Sequence, residues 1–104
     1  MALYFTNTVR IKPGHLEEYL ATAPKTIAIF EKHGAKIHGS FQAVGGEGNA
    51  AVYLVSVPDF AAWEDIIRKV QADSEFMAVQ REGGAHIDGS YLQALAPMPG
   101  SAMQ

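Results

Sequence analysis

The sequence predicts an α+β fold: a four-stranded antiparallel sheet covered on one side by helices. Three observations carry this reading. Ala50–Val57, AAVYLVSV, is apolar except for Ser56, rich in β-branched and aromatic residues, and closed by Pro58-Asp59, the pattern of a central strand covered on both faces. Strand-like and helix-like periods alternate along the chain in the order β-α-β-β-α-(α)-β. The run Gly45-Gly46-Glu47-Gly48-Asn49 is turn chemistry between the second and third strand patterns, which makes those two strands a hairpin.

The elements follow in order. Ala2–Ile11 sets Leu3, Phe5, Val9 and Ile11 on one parity against Tyr4, Thr6, Thr8 and Arg10, with Asn7 interrupting the apolar set. Lys12-Pro13-Gly14 ends that strand. From His15 to His33 the apolar spacing becomes helical through Leu16, Tyr19, Leu20, Ala23, Ile27 and Phe30. Pro24 within this pattern predicts a kink near Ala23, or two helices abutting there. Gly34 after Lys32-His33 is a stop signal. Ala35–Gly45 reads as a second strand with Ile37, Phe41 and Ala43 opposing Lys36, His38, Ser40 and Gln42, and its Gly39 and polar content suit an edge. Asp59 is an N-cap for a helix whose stripe is Phe60, Trp63, Ile66, Ile67 and Val70, reaching about Ala72. Asp73-Ser74 opens a shorter helix with Phe76 and Val79 turned inward, ending near Gly83-Gly84. The last strand, Ala85–Ala96, places Ile87, Tyr91 and Leu95 on one parity and His86, Asp88, Ser90 and Leu92 on the other. One domain over residues 1–97 and a flexible tail over 98–104 are expected. Two split βαβ halves sharing one sheet make the ferredoxin-like arrangement with strand order 4-1-3-2, its greasier strands in the middle.

Composition narrows the function classes. Net charge is −3, and the eight Lys and Arg residues are scattered singly without a basic stripe, which argues against nucleic acid as a partner. Zero cysteines exclude disulfides, thiolate nucleophiles and Cys-based zinc sites. The start, MALYFTNTVR, is not a signal peptide, and no apolar run approaches the roughly 20 residues that span a bilayer, so a cytoplasmic domain without membrane contact is expected. The four histidines form no metal-ligand spacing, and the Gly45–Gly48 run lacks the phosphate-binding pattern and sits in a hairpin, so neither metal nor cofactor is expected.

The two faces of the sheet carry the functional expectations. Helices are expected to cover the parity of Leu3, Phe5, Val9, Ile37, Phe41, Ile87, Tyr91 and Leu95. The opposite face, with Tyr4, Thr6, Thr8, His38, Ser40, Gln42, Ser90 and Leu92, is too apolar for water and too polar for an ordinary core, which predicts a homodimer through the sheet. His38 is a candidate acid or base against its plainer reading as a solvated or interface histidine. His86 and Asp88, at i,i+2, have the spacing for a carboxylate to orient an imidazole, a spacing that also arises by chance. Closure of a dimeric barrel would bring His38 of one copy toward His86 and Asp88 of the other. On the helix side, Tyr53, Trp63 and Tyr91 are read as lining an apolar pocket, with Asn7 as its uncharged polar group, beside the plainer reading of an ordinary core.

Several local signatures coincide with one family. Strand one begins at Tyr4 and ends in Ile11-Lys12-Pro13-Gly14; the first helix closes as Phe30-Glu31-Lys32-His33-Gly34 and leads into Lys36–Gly39. Val52-Tyr53-Leu54 follows the hairpin, Pro58-Asp59-Phe60-Ala61-Ala62-Trp63 opens the next helix, and Ala72-Asp73-Ser74-Glu75-Phe76 follows it. From Tyr4 to Leu95 the chain resembles the NIPSNAP family, within the dimeric α+β barrel group, departing from its first-strand pattern at Asn7 and Val9, where an arginine and an aromatic are common. The resemblance implies a dimer whose sheets close into a barrel with the helices outside. It also implies ligands held between a subunit's sheet and helices, as in cofactor-free monooxygenases, haem-degrading enzymes and EthD-like proteins of this fold. The preferred reading is a homodimer that binds an apolar small molecule; the alternatives are a cofactor-independent monooxygenase or isomerase and a non-catalytic interaction scaffold.

Overall fold

The computed structural model describes residues 2–46 and 48–103; Glu47 of the expected turn and Gln104 of the expected tail lie outside the described residues. The elements are β1 (Leu3–Ile11), α1 (Leu16–Lys32), β2 (Lys36–Gln42), β3 (Ala50–Val57), α2 (Phe60–Gln71), α3 (Ser74–Gly83) and β4 (Ile87–Leu95), with a single 3₁₀ turn at Gly84–His86. That turn shortens the start of the last strand. The sheet is antiparallel with order β2-β3-β1-β4, the ferredoxin-like order expected, and β1 and β3 are central.

Local chemistry explains the boundaries. At Lys12-Pro13-Gly14-His15 the His15 N–H bonds the Lys12 carbonyl at 3.0 Å and Gly14 has φ 84°, a turn whose third residue favours glycine. Helix α1 ends in a Schellman motif: Gly34, φ 109°, donates to Glu31 and Ala35 donates to Phe30, both at 3.1 Å. Asp59 caps α2 through the Ala62 N–H, and Asp73 caps α3 through the Glu75 N–H, both at 2.8 Å. The break expected at Pro24 does not occur as two helices. Pro24 lies inside one helix, exposed, with Tyr19, Thr22 and Ile29 buried on both sides of it.

The sheet differs from strict alternation at both edges, and this relocates several side chains. In β2, Ile37 pairs with Val55 and Gly39 with Leu54, so His38 is an extra, bulged residue. In β4, Ile87 pairs with Ile11 and Gly89 with Arg10, so Asp88 is the extra residue. Each bulge reverses the parity beyond it. Phe41, Tyr91 and Leu95, expected under the helices, pair with Val52, Thr8 and Tyr4 on the outer face. Ser40, Ser90 and Leu92, expected outside, pair with Tyr53, Val9 and Asn7 on the helix side.

The core lies between the sheet and the helices, built on Phe5, Val9, Ile11, Tyr53, Val55 and Val57 from below and Tyr19, Ile29, Ile66 and Val70 from above. Trp63 stacks on Phe5 with centroids 4.4 Å apart and lies 6.4 Å from Phe30, which meets Phe76 edge-on. The molecule is a slab with extents 41 × 35 × 17 Å, because helices cover one face of the sheet only. Beyond β4, Met98 accepts a 3.0 Å bond from the Ser101 N–H, closing a turn over Pro99-Gly100.

Candidate functional site

Between the sheet, α1, α2 and α3 lies a cavity of about 470 Å³. The sheet supplies Asn7, Val9, Tyr53 and Val55; α1 supplies Tyr19, Thr26, Ile27 and Phe30; Trp63 of α2 and Phe76, Val79 and Gln80 of α3 complete the wall. Asp88, Ser90 and Leu92 border it from β4. This volume lies within the range of small-molecule sites, and the mostly apolar wall with a few polar groups is their usual composition. Asp88 is the one charged side chain among the described lining residues, and it is exposed at the cavity's rim.

Of the residues the sequence assigned to a pocket, Asn7, Tyr53 and Trp63 line this cavity together. Tyr91 does not: the bulge at Asp88 turns it to the outer face, where it is 62% exposed. The same bulge brings Asp88 to the cavity, because two successive residues of a bulged strand oppose a single partner position.

The three residues read as an acid–base set point three ways. His38 bonds the Ser56 hydroxyl through Nε2 at 2.6 Å and lies 5.6 Å, ring to ring, from Tyr4 on the outer face. His86 meets His15 through Nδ1 on both rings at 2.8 Å, an arrangement in which one imidazole donates and the other, neutral at that nitrogen, accepts. Asp88 faces the cavity. A barrel closed through the outer faces would gather His38 with Tyr4 and Ser56, and would leave Asp88 on the far side of its own sheet.

The sequence reading missed Tyr19, which appeared only as part of a helical stripe. Its hydroxyl is hydrogen-bonded to that of Tyr53, with both residues at least nine-tenths buried. Burial, reinforced by the neighbouring phenol, pushes the Tyr19 hydroxyl far above the ordinary phenol range; burial also raises Tyr53. Both therefore keep their protons across the physiological range. The only sequence signal for the pair was that two tyrosines occupied inward positions on facing elements.

Among the described residues no helix is long and apolar enough to cross a membrane. Among curated proteins, none matches the chain. Solved structures match it over nearly its whole length. A NIPSNAP family protein from Agrobacterium tumefaciens superposes with a TM-score of 0.94 at 19% identity, covering 100% of both chains. A NIPSNAP domain protein from Burkholderia xenovorans gives 0.88 at 19% identity, covering 95% of this chain and 97% of its own. A candidate antibiotic biosynthesis monooxygenase from Caulobacter crescentus gives 0.72 at 13% identity over 93% of this chain and 90% of its own, a likeness of fold. The NIPSNAP family model matches residues 4–102, so the chain belongs to the NIPSNAP family.

Proposed function

We propose that this NIPSNAP protein binds one apolar small molecule per chain in the cavity between sheet and helices, and that it works as a homodimer joined through the outer sheet face. The carrying observation for binding is the 470 Å³ cavity, whose wall joins Trp63, Phe30 and Phe76 to isolated polar groups at Asn7, Tyr53 and Ser90. The absence of a cationic side chain among the described lining residues, with Asp88 at the rim, favours uncharged ligands over carboxylates and phosphates.

The dimer is supported by the outer face, where Phe41 is 59% and Tyr91 62% exposed beside Tyr4, Val52 and Leu54.

N-phenyl-1-naphthylamine, an uncharged apolar probe, tests the cavity: it is expected to bind at one per chain with a blue-shifted emission, and 1-naphthoate at least tenfold more weakly. Val79→Trp, whose indole occupies the cavity, is expected to abolish probe binding while keeping the melting transition. Equal probe binding by Val79→Trp would refute the site.

A further inference from the structure

The hydroxyls of Tyr19 and Tyr53 form a proton inventory that does not close within the protein. Two phenols carry two O–H protons, and the bond between them uses one. Whichever tyrosine accepts that bond still has its own proton to donate. Among the described residues neither hydroxyl has another hydrogen-bond partner; the one nearby bond, from Thr22 Oγ1 at 2.8 Å, goes to the Tyr19 backbone carbonyl. Tyr19 is 6% and Tyr53 9% exposed, so bulk water does not solvate them freely, and both line the cavity. A buried donor without an acceptor is costly, and the free space beside this one is the cavity itself.

We infer that the Tyr19–Tyr53 pair is the cavity's polar anchor, donating its second proton to an acceptor oxygen of the ligand, and that the ligand class is therefore apolar carbonyl compounds: ketones, aldehydes, esters or quinones. The inference rests on the cavity being a ligand site and adds the chemistry of the ligand. A phenol that already accepts a hydrogen bond is polarised by its partner, which strengthens its own O–H as a donor. Val9, Val55 and Ile27 line the same cavity as the pair, and Asn7 pairs across the ladder with Tyr53 at the same level of the sheet. A carbonyl has lone pairs and no proton, so it satisfies the pair's free donor without adding an unpaired one.

The test compares 2-acetonaphthone with 2-ethylnaphthalene, which share a skeleton and differ in the carbonyl. The ketone is expected to bind roughly fivefold more tightly, the return from one buried hydrogen bond. Its carbonyl stretch in the infrared is expected to move below the value in cyclohexane. In the double variant Tyr19→Phe/Tyr53→Phe both differences are expected to vanish, while ethylnaphthalene binds as before and the chain melts cooperatively. Binding of both compounds with equal affinity and an unshifted carbonyl, or a shift that survives in the double variant, overturns the role of the tyrosines and leaves the cavity standing as a site. Binding of neither compound overturns the cavity reading and this inference with it.

Discussion

Asp73 joins two elements through one side chain. One of its oxygens caps α3, and the other meets Lys32 and His33 at the end of α1, both at 2.7 Å. The Lys32 ammonium first, and then the His33 imidazole, hold its carboxyl well below the usual carboxylate range. Since the folded pKa is depressed, the stabilisation is complete above the ordinary carboxylate pKa and is lost as pH falls through the folded value. Asp73→Asn is therefore expected to lower the melting temperature at neutral pH, with the gap from the parent narrowing between about pH 4 and pH 2. A gap that stays constant across that range would show that the carboxylate's charge does not hold the junction. The tyrosine pair gives a second residue-scale test. Either single Phe substitution leaves a buried hydroxyl without its partner, at a cost of about 1 kcal/mol, whereas removing both hydroxyls is close to neutral. A double-mutant cycle read by urea denaturation is expected to show that the single costs do not add.

The elements themselves were legible in the sequence to different depths. The two central strands pair with each other without a register shift, and both aspartate caps stood at the positions where the helices begin. The edge strands failed at one residue each. Counting by twos through His38 and Asp88 put Phe41 and Tyr91 on the wrong face, since a bulge adds a residue without advancing the ladder. A signal was present: Gly39 and Gly89 directly follow the bulged residues, and a glycine inside a strand pattern marks a bulge as well as an edge. The pocket was half legible for the same reason. Asn7, Tyr53 and Trp63 lie on regular elements, whereas Asp88 and Ser90 needed the register of β4. Helix α1 carries an element-scale prediction. Pro24 removes the N–H that would bond the Leu20 carbonyl, and it does so on an exposed face. Pro24→Ala is expected to raise stability by about 1–2 kcal/mol in urea unfolding, the helix gain less the entropy returned to the unfolded chain.

For the whole molecule, the decisive dimension is the 17 Å thickness of the slab. Helices protect one side, and the other presents Phe41, Tyr91 and Leu95 around the threonines of β1. Sedimentation of the parent chain is expected to give the mass of two copies, and the double variant Phe41→Glu/Tyr91→Lys the mass of one. Its cavity, on the opposite side of the sheet, should still take up the naphthylamine probe. A single-copy mass for the parent at high micromolar concentration would rule out the pairing. The bulges bear on how such a chain associates. A sheet that offers a greasy face while its outermost backbones carry free ladder positions invites growth without limit, strand upon strand. Here the bulge at His38 leaves β2 with only Gly39–Gln42 in straight register, whereas the bulge at Asp88 lies at the start of β4 and leaves Gly89–Leu95 in step. Growth by strand addition is thereby hindered at the β2 rim, and the proposed pairing would go through the outer face instead.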